Sequence, residues 1–244
     1  MAIPDLEPST LAWLVLASAA GGAVQGSIGF GFALVVVPAL TLVRPEAVPA
    51  AVLLLAAPLT VYMAVRERAH IDRRGFVSIV AGRVFGTALG ATILVAVPAD
   101  SIATLLGLMI LVAVALSVVG LDVAPTPPVA FGAGLLSGVT GTTSAVGGPA
   151  LAVVYQRRPG PELRSTLALS FVVGLSMSLV AVGAIGRVQL WHGVLAAEML
   201  PGLALGLWSS RHLSRAMDRG WLRPAVLAFA GAAGAYITVR GLVG

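Results

Sequence analysis

Two glycine-rich clusters, one arginine and one glutamate are the parts of this chain equipped to meet a charged ligand. The first cluster, residues 22–31, carries Gln25, Ser27 and Gly29. The second, residues 134–149, carries Ser137, Thr140, Gly141, Thr142, Thr143 and Ser144. Backbone N–H groups exposed where a helix begins attract oxyanions, and hydroxyls or amides nearby add donors. Arg83 is the only arginine placed well inside an apolar segment. An intramembrane charge is expensive and by default points to function, and a guanidinium fork suits a pair of oxyanion oxygens. Two blander readings of Arg83 stay open, a side chain snorkelling to the surface and a partner for Glu198. Glu198, the only acidic residue well inside an apolar segment, is a candidate coupling carboxylate or half of a structural ion pair.

Catalysis finds no support. His70, His192 and His212 lack the i, i+4 spacing with which a helix presents two metal ligands. Cysteine is absent, which removes thiolate sites and disulfides. No histidine lies at membrane depth to activate Ser27 as a nucleophile. No metal and no cofactor is expected.

The elements that must hold these residues are membrane helices. Hydrophobic residues make up 58% of 244 and charged residues 10%, with a mean hydropathy of +1.00. Soluble domains have roughly 25% charged residues. No basic segment precedes the first apolar stretch, so that stretch is expected to be retained structure rather than a signal peptide. Residues 11–43 form 33 nearly uncharged positions, more than the ~20 that one crossing needs. The first glycine cluster must interrupt them. Apolar helices are expected at about 47–65, 76–97 and 102–121. Residues 122–128, with three prolines, read as a linker. The pattern then restarts with a broken segment at about 129–156 and helices at about 164–185, 190–210 and 222–240.

The halves resemble each other. Gly22 to Gly29 lies over Gly134 to Gly141, with Pro38 and Pro149 following. Pro45-Glu46 matches Pro161-Glu162, and the pair Gly82/Gly86 matches Gly202/Gly206. Together these argue for duplication, residues 1–121 and 129–244.

All 15 basic residues are arginine. If each broken segment crosses once, the loop arginines divide six against eight and set no orientation. If each is instead a re-entrant hairpin of two half-helices, Arg44, Arg187 and Arg240 lie on one side and eleven on the other. The positive-inside rule then puts the eleven in the cytoplasm and both termini outside. Trp13 and Trp191 fall at the outer interface, and Trp208 and Trp221 at the inner one. Each half contains three full crossings, so the repeats are inverted. The expected fold is an all-α polytopic membrane protein of two inverted repeats, each a re-entrant hairpin plus three transmembrane helices. The two hairpin tips would bring opposed helix N-termini, roughly +0.5 charge each, to the midplane.

The paired glycine signatures, Gly22 to Pro38 and Gly132 to Pro149, with the helix starts Pro45-Glu46 and Arg164-Ser165-Thr166, resemble those of the TauE/SafE family of sulfite and sulfonate permeases. The resemblance covers essentially the whole chain. At the first tip Gly29-Phe30-Gly31-Phe32 stands where family members often carry three glycines. The resemblance implies a permease of the cytoplasmic membrane carrying sulfite or organosulfonates, contacted by the cluster residues and Arg83. Its expected partners are the small anion, the bilayer and, as an option, a second copy; nucleic acid is not implied. An anion channel and a non-transporting scaffold are the alternatives. Single cysteines replacing Arg44 and Arg157 in this cysteine-free chain should react with an impermeant maleimide from opposite faces. Labelling of both from one side would overturn the hairpin topology.

Overall fold

The computed structural model describes residues 6–119, 123–217 and 222–243, and all regular structure among them is helical. The linker start at Asp122, together with Arg219 and Trp221, lies outside the described residues. The helices are α1 (Pro8–Ile28), α2 (Phe32–Thr41), α3 (Ala50–Arg66), α4 (Arg73–Ala96), α5 (Ile102–Val118), α6 (Pro127–Ser144), α7 (Gly148–Tyr155), α8 (Gly160–Ala184), α9 (Leu190–Met217) and α10 (Leu222–Val243). Six of them are long and apolar enough to cross a membrane.

Both broken segments fold back on themselves, but their arms are unequal. Trp13 Nε1 donates to Ala39 O at 3.5 Å, and Gly21 faces Phe32 and Val36, so α2 returns antiparallel along α1. In the second hairpin, Ser137 Oγ donates to Gly147 O at 2.7 Å, and α7 packs back onto α6 through Ala130, Leu151 and Tyr155. With 21 residues against 10, and 18 against 8, the arms measure about 31 and 15 Å and about 27 and 12 Å. The expected pair of half-helices is thus corrected to a full-length arm and a short return. The two tips meet inside the bundle, where Phe30 of the first lies beside Gly148 of the second. Gly29 sits beside Arg164 near the start of α8, whereas Ala145 packs with Ala50, Leu94 and Val182 at the opposite ends of α3, α4 and α8.

The breaks are made by left-handed residues. Gly29 (φ 94°) ends α1 and Gly31 (φ 113°) precedes α2, a backbone region open to glycine at little cost. The second break comes later than the glycine cluster suggests. Helix α6 runs through Gly138, Gly141 and the hydroxyl run, and turns at Ala145 (φ 62°). Threonine and serine hydroxyls bond the carbonyl four residues back, which satisfies them without ending a helix. Glycines inside membrane helices serve close packing instead of turning.

That packing organises the bundle. Gly82 and Gly86 of α4 lie on the carbonyls of Phe131 and Leu135 of α6; Gly202 and Gly206 of α9 lie on those of Val15 and Ala19 of α1. In both parallel pairs the backbones approach so closely that a Cβ would overlap the facing oxygen. Other contacts exchange in the same way: α2 meets α10 as α7 meets α5, while α3 meets α8 and α5 meets α10. The left-handed caps Gly29 and Ala145 set the register, which pairs Gly22 with Gly138 rather than Gly134. The sequence alignment is off by one helical turn because glycines recur every four residues and either register keeps them on one face. Pro38, late in α2, and Pro149, second in α7, are consequently not counterparts.

Replacing Gly86 or Gly206 with leucine should cost about 1–3 kcal/mol or more through overpacking. Gly183→Ala, where nothing lies within 4 Å, should be neutral. Thermal unfolding followed by size-exclusion chromatography in detergent reads both; equal stability of all three variants would remove the close-packing account.

Candidate functional site

A cavity of about 70 Å³ lies between the two tips. A water takes roughly 10–15 Å³ of such space, so there is room for an ion of a few heavy atoms. Its walls are the starts of α2 (Phe32, Ala33, Leu34) and α7 (Gly148, Pro149), with Val52, Leu53 and Thr60 of α3 and Phe171 and Leu175 of α8. Most of this surface is apolar. Gln25 and Arg83 are the polar side chains of length that reach it.

Arg83 is the eleventh residue of the 24 in α4 and is 3% exposed. Nη1 donates to Ser137 Oγ at 2.9 Å, and that hydroxyl donates onward to Gly147 O, tying the guanidinium to the second tip. Nε is fully buried and has no partner among the described residues. No carboxylate pairs with Arg83 among them. Space for its flat head comes from Gly174, where any side chain would overlap the guanidinium, and from Gly141, where a Cβ would stand 2.9 Å from Nη2. Snorkelling is excluded by this burial and by the bond to Ser137.

Gln25 is buried in the last turns of α1, and its Oε1 accepts from Phe32 N at 3.1 Å. That contact caps the start of α2 and turns the amide nitrogen into the group left for a ligand. It also moderates the expected anion trap of two bare helix N-termini. The first N–H of α2 is engaged, and Pro149 brings no N–H to α7.

Most of the expected hydroxyl donors lie elsewhere. Thr140, Thr143 and Ser144 donate to Leu136 O, Val139 O and Thr140 O at 2.8–3.0 Å, within their own helix. Thr142 and Ser178 bond each other at 2.9 Å across α6 and α8. Ser27 donates to Ala23 O, also within its helix. None of these lines the cavity, and Gly29 faces Arg164 instead. Each hydroxyl is satisfied locally, the cheapest arrangement in an apolar interior. Glu198 is exposed on the outer face of α9, away from Arg83 and the cavity. It does not neutralise Arg83.

Sequence reasoning missed Gly174, Phe171 and the α3 wall. A single glycine and a phenylalanine in an apolar helix emit no signal that periodicity can detect. Reading of the repeats could have found one further feature, the asymmetry of the site. Gly22 lies against Leu203 O and Gly138 against Arg83 O, at 2.8 and 2.9 Å from an added Cβ, so Leu203 holds in α9 the place of Arg83 in α4. Gln25 and Gly141 likewise correspond, each accepting the N–H of its left-handed cap. One repeat thus contributes an amide and the other an arginine with the glycine that makes room for it.

A bundle of apolar helices around a buried, uncompensated cation suits the handling of a small anion within a membrane. No curated protein and no solved structure matches the chain. The sequence model of the sulfite exporter TauE/SafE family matches residues 14–237. The chain therefore belongs to the TauE/SafE sulfite exporter family and is a multi-pass membrane protein.

Proposed function

We propose that the chain is a secondary permease of the cytoplasmic membrane that carries sulfite or a small organosulfonate through the Arg83 cavity by alternating access. The observation that carries this reading is the Arg83 guanidinium: buried, tethered on one nitrogen to Ser137, without a carboxylate partner among the described residues, and part of the wall of an ion-sized cavity. A buried cation without a counter-charge is costly, and an arriving oxyanion supplies both the charge and the missing acceptor. The Gln25 amide adds a donor from the other repeat. The apolar walls at Val52, Leu53, Phe171 and Leu175 leave room for the organic part of a sulfonate.

The two hairpins meeting tip to tip, and the contacts that exchange between halves, support two inverted repeats. In this reading the end bearing Arg66, Arg68, Arg73, Arg74 and Arg164 faces the cytoplasm. The cavity between two closed tips favours a carrier over a channel, which would need a continuous wet path.

Proteoliposomes loaded with a panel of sulfite, sulfoacetate, taurine and carboxylate analogues should show saturable flux for the sulfur oxyanions. Absence of flux for every anion, in either direction, would overturn the permease. Arg83→Gln should abolish anion binding in the purified, folded protein, and Ser137→Ala should weaken it about tenfold or more, as the roughly 1.5–3 kcal/mol of a hydrogen bond to a charged group implies. Unchanged affinity in Arg83→Gln would move the site elsewhere.

A further inference from the structure

The end of the bundle beneath the first tip holds a second pair of guanidinium groups. Glu67, at the C-terminal cap of α3, places its carboxylate between them: Oε1 accepts from Arg66 Nε at 3.0 Å and Oε2 from Arg164 Nε at 3.2 Å. The two donors come from the end of α3 and the start of α8, so the carboxylate bridges the helices. The stem of Arg164 also lies against Gly29, its Cγ 3.0 Å from where a Cβ would stand, and Arg66 Nη2 reaches Gly26 O at 3.5 Å. Both residues therefore touch the terminal turn of α1 and the first tip.

Arg164 borders two cavities. One of about 590 Å³ is lined by Gly26, Ser27, Arg66 and Glu67; the other, of about 230 Å³, by Phe30, Pro149 and Arg223. Pro149 also lines the Arg83 cavity. Phe30 stands at this junction, its Cβ 3.8 Å from a Cβ on Gly148. Pro149 is thus shared between the cavity beside Arg164 and the cavity that Arg83 lines.

A carboxylate gripped through both oxygens by two guanidinium N–H groups has the geometry of a bound oxyanion, here supplied by the chain itself. The arginine side chains are each 36% exposed and that of Glu67 13%. Ion pairs this close to solvent are screened and contribute little stability, so an outside anion can replace the carboxylate.

We propose that Arg66 and Arg164 form a second oxyanion site at this mouth, occupied by Glu67 in the absence of cargo and open to a sulfonate or sulfite group that displaces it. The site rests on the arginine geometry; its service as a staging post for the Arg83 cavity rests on the transport reading above. Displacement of Glu67 also breaks the carboxylate bridge between the end of α3 and the start of α8.

The test is equilibrium binding of methanesulfonate to the purified full chain in nanodiscs, in an Arg83→Gln background that removes the central site. Adding Glu67→Gln should raise the remaining affinity at least tenfold by freeing both guanidinium groups, and adding Arg164→Gln should return it to the starting level. Glu67→Ala carries the same expected sign and serves should Glu67→Gln not fold. Affinity unmoved by the Glu67 variants, or raised affinity that survives Arg164→Gln, overturns the proposal. If Arg83→Gln alone leaves wild-type binding intact, the central site fails, and the Glu67 and Arg164 variants in the wild-type background still decide this one.

Discussion

The buried charge of Arg83 sets the terms for the middle of this bundle. A guanidinium keeps its charge when taken out of water, so the surrounding chain must either supply acceptors or leave a place for an anion. It supplies one, Ser137, through which the arginine is tied to the second tip. Gly141 and Gly174 exist at their positions in service of the same group, since a side chain at either would occupy its space. Residues on α4, α6 and α8 are thereby committed around a single cation, and its charge gives the cavity its chemistry.

The scaffold around that cation depends on close backbone approach. Apolar burial gives membrane helices little preference for one another over lipid, so van der Waals fit between small residues decides the pairs. Glycines on α4 and α9 settle onto carbonyls of α6 and α1, which aligns each long hairpin arm with a crossing helix of the other half. The short arms α2 and α7 are then held inside, with their first turns facing the cavity. The matching positions Arg83 and Leu203, and Gln25 and Gly141, carry different side chains, which makes the site polar on two different grounds.

The polar groups of the chain divide by what satisfies them. The hydroxyls of Thr140, Thr143 and Ser144 are consumed by their own helix, and the Gln25 carbonyl caps α2. Arginines at the rim find carboxylates, as Arg164 and Arg66 find Glu67 and Arg158 finds Glu162. Arg83 is the buried arginine among the described residues that does neither in full.

The sequence by itself determined that this is a membrane protein of apolar helices, two segments of which are interrupted. Composition and hydropathy report directly on the solvent a chain needs, and segment length reports on the bilayer it must cross. It also singled out Arg83, because a charge in an apolar run is conspicuous without any coordinates. Only the tertiary structure decided the rest. Where α6 breaks depends on whether Thr142 to Ser144 bond forward to a ligand or back to their own helix, and both are compatible with the same residues. The register between repeats depends on contacts, since glycines spaced by four look alike one turn apart. Glu198 and Arg83 are equally conspicuous in the sequence, yet one faces outward and the other lines the cavity. The angle at which a helix presents each face is set by the neighbours it packs against, and no run of residues carries that information alone.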